Sequence, residues 1–337
     1  MANLTGIDLS TYTRIGRYDL PEPTRTTAPA GNLLAQEVSA VTYNPDTDSL
    51  FVLGDGGTAI VQVSKTGQLI NSMTLAAGTS PQGTTFYDPE GLAYVGGGQF
   101  VMVEERYRQV DLFTYVPNTT LTSANVQTVK LGTTVGNIGI EGITYDPQTG
   151  GFIAVKEITP QGIFQTNINF AAGTATNGSP TTINSTNLFD PARAGLGDLA
   201  DVYALSNVSA LSGTADSSHL LLLSQEDGKV VNVDRNGNVF SSLTIVGDAN
   251  NPQSIADQQY EGLAVDKDGL LYITSENGES LSATIADVPN HPQLWVYAPR
   301  ATAAAVPEPM DFLGTIVALF AVAIFKRKFS HRKSDRF

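Results

Sequence analysis

Five short apolar runs punctuate the chain: LFVL at 50–53, FVMV at 100–103, FIAV at 152–155, LLLL at 220–223 and LYI at 271–273. Each follows a segment in which apolar residues alternate with small or polar ones: VSAVTYN, EGLAYV, EGITYD, ADVYAL and EGLAV. Alternation over four to eight residues predicts a half-buried strand, and a short unbroken run between turn residues predicts a strand buried on both faces. The linking sequences NPDTD, GGG, DPQTG and DKDG are turn formers, so four of the pairs read as tight hairpins. A Ser-, Ala- and Gly-rich insertion interrupts only the fourth. A third strand follows in TAIVQVS (58–64), QVDLFTYV (109–116), KVVNVD (229–234) and QLWVYAP (293–299), and Lys65-Thr66-Gly67 and Arg235-Asn236-Gly237 turn the chain into a fourth.

The residue that opens each hairpin fixes the period. Ser39, Glu90, Glu141, Asp201 and Glu261 are separated by 51, 51, 60 and 60 residues, the length of a four-stranded propeller blade with loop insertions. The fold class is therefore all-β: a single β-propeller over 8–300, with five four-stranded blades. The fifth repeat lacks an outer strand, and TYTRIGRYDLP near the N-terminus belongs to no repeat, so the first strand is expected to close the ring. The alternatives are six blades, using cryptic strands in 170–190, and a β-sandwich with fortuitous spacing.

A second acid follows the first by 15 or 16 positions, at Asp55, Glu105, Glu157 and Glu276; the insertion delays the fourth to Glu226. A five-residue strand rises roughly 16 Å and its antiparallel partner returns the same distance. Both acids of a hairpin thus reach one rim of the channel. Glu90, Glu141, Asp201 and Glu261, completed by Ser39, form an inner set near the axis. Glycine follows three of these acids, at Gly91, Gly142 and Gly262, where backbones must approach closely. Two unit charges 5 Å apart repel by about 3 kcal/mol at an effective dielectric of ~20, so such a ring takes up protons or a cation. Oxygen ligands alone favour Ca²⁺ over a transition metal; the competing reading has these acids capping backbone amides at strand starts. Asp55, Arg106, Lys156, Glu226 and Glu276 are candidates for recognising a small polar ligand at the rim, or for salt bridges within it.

Composition narrows the partners. Cysteine is absent, which removes disulfides, thiolate metal sites and a Cys nucleophile. Net charge is −14, and the last twelve residues hold six basic residues against one Asp, so 1–325 carries −19. Such a body repels nucleic acid. Before that basic cluster, a small-residue and Pro linker (301–311) leads into FLGTIVALFAVAIF (312–325). Fourteen residues of helix span about 21 Å, short of a ~30 Å hydrocarbon core but without the polar face of a core helix. Val306-Pro307-Glu308-Pro309, the apolar segment and the Lys/Arg cluster together resemble a PEP-CTERM sorting signal. That resemblance implies export, anchoring of 312–325 in the inner membrane with a cytoplasmic tail at 326–337, and an exosortase-type processing partner in the cell envelope. The N-terminus, MANLTGIDLSTYTRIGRYDLP, reads as no signal peptide.

The motifs SAVTYNPDTDSLFVL, DPEGLAYVGGGQFVMVEER, IEGITYDPQTGGFIAVKE and YEGLAVDKDGLLYITSEN, in that order, resemble the SdiA-regulated family of bacterial β-propellers, with weaker similarity to phytase-like esterase propellers. The former resemblance implies a small periplasmic or membrane-associated propeller with calcium on the channel axis. Catalytic signatures are sparse. Only His219, His291 and His331 are present, no G-x-S-x-G elbow occurs, and His219 sits beside an apolar strand. The expected function is a ligand-binding or interaction module. The alternative is a calcium-dependent phosphoesterase or lactonase-like hydrolase, with Glu105 or Glu157 as base.

Overall fold

The computed structural model describes residues 4–21, 34–81, 83–158, 160–251, 258–276 and 291–300. Five sheets radiate from a common axis, and the chain is a five-bladed β-propeller. Strand β1 (Tyr12–Asp19) belongs to the last of them. Blade 1 runs outward through β2 (Val38–Asn44), β3 (Ser49–Gly54), β4 (Ala59–Val63) and β5 (Leu69–Leu75). Blade 2 follows with β6 (Pro89–Gly96), β7 (Gln99–Glu104) and β8 (Gln109–Thr114). The two-residue β9 (Thr120–Leu121) then pairs back onto β5, and β10 (Gln127–Lys130) completes blade 2.

Blade 3 departs from the four-strand pattern. It consists of β11 (Ile143–Asp146), β12 (Gly151–Lys156) and β13 (Gly162–Thr166). In place of an outer strand there is a separate hairpin of β14 (Ile168–Asn169) and β15 (Thr174–Ala175), so 170–190 supplies no sixth blade. Blade 4 comprises β16 (Asp201–Ala204), β17 (Leu220–Ser224), β18 (Lys229–Val233) and β19 (Val239–Thr244). Its insertion folds as three short 3₁₀ turns between Leu205 and Ser218. Blade 5 holds β20 (Tyr260–Val265), β21 (Leu271–Ser275) and β22 (Gln293–Pro299), and β1 pairs antiparallel with β22 from Tyr12↔Pro299 to Asp19↔Gln293. The ring closes as the unassigned N-terminal strand predicts.

Burial follows the sequence pattern. β2, β3, β12 and β17 are buried at every position because blades pack against both of their faces, whereas β5 and β19 alternate toward solvent. Aromatic pairs pack between and within blades: Phe51 of blade 1 lies 4.6 Å from Phe100 of blade 2, and within blade 5 Trp295 meets Tyr260 edge-on at 5.6 Å.

The glycines after the acids set how closely blades approach. A Cβ on Gly91 would stand 2.9 Å from the Glu141 carbonyl, one on Gly142 2.6 Å from the Asp201 Cα, and one on Gly262 2.7 Å from the Val41 nitrogen. Each glycine therefore lets the inner strand of the neighbouring blade close on the axis. No helix among the described residues is long and apolar enough to cross a membrane, and segment 312–325 lies outside them.

Candidate metal centre

The first acid of a hairpin occupies a β-bulge. Register slips by one between Pro89 and Gly91, and between Tyr260 and Gly262, leaving Glu90 and Glu261 as extra residues; Ser39 sits in the same slip of blade 1. In blade 3 the Glu141 N–H and the Gly142 carbonyl both pair with Val155, which produces the same arrangement. A bulge re-aims a side chain without breaking the ladder.

A second repeated device lies two residues earlier. Glu37, Asp88 and Gln259 have left-handed backbones, with φ of 46°, 58° and 46°. Their carbonyls accept from the N–H groups of Asp55 (3.1 Å), Glu105 (2.9 Å) and Glu276 (3.0 Å). The returning acid of these three hairpins is thus tied to the start of the same hairpin, which holds both acids at one mouth. Non-glycine residues in this region cost of order 1–3 kcal/mol and persist only where surrounding structure enforces them.

The acids meet in distinct groups. Asp55, Asp88 and Glu90 each offer a carboxylate oxygen, and these three atoms lie within 4.8 Å of one another across the seam between blades 1 and 2. Burial, then the neighbouring Asp55 and Glu141 charges, push the Glu90 carboxyl well above its usual range; burial and Glu37 do the same to Asp55. Glu141 faces Glu105, and burial together with that neighbour raises it well above normal. Burial pushes Glu105 up to about 7, against a hydrogen bond its Oε1 accepts from the Gly139 N–H (2.7 Å). The Oε2 of Glu105 and the Oδ1 of Asp55 are buried with no hydrogen-bond donor. The Glu261 charge contributes to raising Asp55, Glu90, Glu141 and Asp201 alike.

Other predicted residues take structural places. Asp201 is buried, and its two oxygens accept from the N–H groups of Val202 (2.7 Å) and Leu263 (2.8 Å), stapling blade 4 to blade 5. Ser39 donates to the Glu37 carbonyl (3.2 Å), so in blade 1 Glu37 reaches the acidic group instead. Arg106 ion-pairs with Asp88 and bonds Asn137, with its guanidinium 5.4 Å over Tyr87. Glu157, half-buried, is raised by burial and by the Asp198 and Glu226 charges, while Glu226 is itself exposed. Asp198 accepts from the N–H groups of Gln225 (3.0 Å) and Glu226 (3.2 Å), the fourth blade's substitute for the left-handed tie. Lys156 is buried rather than set on the rim. His219 stacks on Phe240 at 4.6 Å and bonds Asn232 at 3.0 Å, a core role. Residues 277–290, which precede His291, lie outside the described residues.

Sequence spacing missed Glu37 and Asp88. Both sit one bulge away from the period, and the signal was present in the acid-containing sequences QEVS and YDPEG.

The chain matches the family described as SdiA-regulated over residues 25–278. Among solved structures it is similar to the glutaminyl cyclase of Myxococcus xanthus, at 12% identity over 85% of this chain and 95% of that one, with a TM-score of 0.45. A luciferin-regenerating enzyme is 11% identical over 78% and 92%, with a TM-score of 0.43. A chain of a nidogen/laminin complex is 13% identical over 72% and 73%, with a TM-score of 0.42. Likenesses this distant say nothing about activity.

Proposed function

The chain belongs to the SdiA-regulated family, and on that premise we propose that it is a ligand-binding or interaction propeller whose acidic mouth holds a calcium-type cation. The observation that carries this reading is the convergence of Asp55, Asp88 and Glu90, with oxygens within 4.8 Å of one another. The donor set fits a hard cation, because it offers carboxylate oxygens without nitrogen or sulfur. Buried oxygens of Asp55 and Glu105 that no donor satisfies add to the fit. Asp55, Asp88 and Glu90 would hold the ion, with Glu141 and Glu261 around it. When bound, it supplies a fixed positive charge for an anionic or polar ligand. Arg106 holds Asp88 in place, and Asp201 fixes the blade 4 to blade 5 seam.

The hydrolase reading rests on Glu105. A carboxyl raised to about 7 beside Glu141 is suited to moving a proton at neutral pH. The PEP-CTERM-like tail supports a further element of the proposal, an envelope protein processed near Pro309 by an exosortase-type partner; intact mass of the cell-associated protein tests it, and an unprocessed tail would refute it.

One set of experiments separates the two activities. Melting the full chain in detergent with EDTA and then calcium is expected to raise Tm by several degrees, and Glu90→Gln is expected to lose most of that rise. An unchanged Tm would sink the cation site. Calcium-dependent turnover of phosphomonoesters or lactones, lost in Glu105→Gln, would establish the hydrolase; no turnover favours the binding module.

A further inference from the structure

Where blades 2 and 3 meet, two cations are buried in an otherwise acidic protein. Arg108 closes the turn between β7 and β8 with φ of 47° and is 1% exposed. Its guanidinium lies against Gly132, where a Cβ would stand 2.5 Å from Cζ, so only glycine leaves it room. One terminal nitrogen donates to the Ile183 carbonyl, and Nε has no hydrogen-bond partner. Lys156, the last residue of β12, is 6% exposed. Both line a small cavity of about 30 Å³ shared with Gln161, Asn184, Ser185 and Asn187. The Ser185 hydroxyl is buried without a partner, and Asn187 uses its carbonyl to accept from the Ile163 N–H (3.1 Å), which leaves its amide N–H groups as donors. Among the described residues no carboxylate lines this space.

Arginine stays protonated at any accessible pH, so a buried guanidinium needs compensating negative charge or a full set of acceptors. Among the described residues, the acceptor found for Arg108 is one carbonyl, that of Ile183. Burial, then the Arg108 charge, lowers the Lys156 ammonium below its usual range, consistent with two cations sharing one space. We infer that this cavity binds a small monovalent anion, of chloride or formate size, held by Arg108 and Lys156 with the Ser185 hydroxyl and Asn187 amide around it. A water needs about 10–15 Å³ of such space, so the cavity admits a halide or the two oxygens of a carboxylate. The anion would bind the 183–187 segment onto the blade 2 turn that also presents Glu105 and Arg106.

The test uses the full chain in EDTA, which makes it independent of the cation proposal. Sodium gluconate is replaced by sodium chloride or sodium formate at constant ionic strength while thermal unfolding is followed. A saturable rise in Tm of a few degrees with either anion, absent in Arg108→Gln, is expected. If Arg108→Gln does not fold, chloride NMR line broadening by the unsubstituted protein, displaced by formate, provides the same evidence. An equal rise in Arg108→Gln, or neither a saturable rise nor broadening, would overturn the assignment.

Discussion

At one mouth of the channel Asp266 is fully buried, yet its carboxylate meets the Lys65 ammonium (2.9 Å), the Tyr272 hydroxyl (2.9 Å) and the N–H groups of Asp268 and Leu270 (2.9 Å each). Asp146 there pairs with Arg235 (3.1 Å), and Asp48 with Lys65 (2.6 Å) and Lys267 (3.0 Å). Four inner-strand tyrosines, Tyr43, Tyr94, Tyr145 and Tyr203, line a cavity of about 230 Å³ at this end. At the other mouth Asp55, Glu90, Glu105 and Glu141 face one another, and Asp88 and Arg106 form an ion pair beside them. The hairpins of blades 1, 3 and 5 thus use one set of acids to secure their turns, while those of blades 1, 2 and 3 concentrate another set in mutual repulsion at the opposite end. Paired acids stabilise the fold, whereas crowded acids persist against an energetic cost, and carboxyls perturbed in this way are a mark of functional sites.

Three measurements test that contrast. Asp266→Asn, which leaves the Lys65 ammonium without its buried partner, is expected to cost about 4 kcal/mol in denaturant unfolding; a loss below about 1 kcal/mol would mean the paired end is not structurally important. The next effect is in pH. Glu105 has a folded-state pKa raised to about 7 from a reference near 4.3, so its protonated form stabilises the fold. In EDTA that contribution is complete below about pH 4.3 and lost as pH rises through 7, a fall on the order of 3–4 kcal/mol that Glu105→Gln should remove. Asp48 runs the other way: its Lys65, Tyr43 and Lys267 partners hold its carboxyl below the ordinary range, so its contribution is present above about pH 3.9 and lost on further acidification. A stability profile flat from pH 4 to 8 without metal would remove the distinction between the mouths. Smallest is Lys267→Ala, which removes exposed pairs with Asp48 and Asp268 and should cost less than about 1 kcal/mol, lessening further in high salt.

The hairpins, their third strands and the closure by β1 are legible in the sequence because period-two alternation and turn residues recur at near-constant spacing. Gly91, Gly142 and Gly262 are legible for the same reason, since close approach of inner strands demands them in each copy. The grouping of the acids is not. Glu37 and Asp88 enter through a left-handed residue and a bulge, both set by local backbone rather than residue periodicity. Ser39 occupies the right position but turns to a carbonyl, and Asp201 is taken up by two amides. Blade 3 loses its outer strand to the β14–β15 hairpin, in which Ile168, Phe170 and Ala175 pack against the core and the chain turns back on itself instead of pairing with β13. Arg108 and Lys156 share a cavity with a segment 75 residues beyond Arg108 in sequence, a proximity no local pattern announces.

The join between β1 and β22 has a consequence in time. Tyr12 pairs with Pro299, so the first strand synthesised cannot find its place until almost the whole domain exists. Loop closure over such a separation is slow, and a sheet edge kept waiting can pair with another chain instead. A protein built this way is suited to completing its ring only after the last blade has emerged, with the final strand acting as the clasp that ends the vulnerable interval.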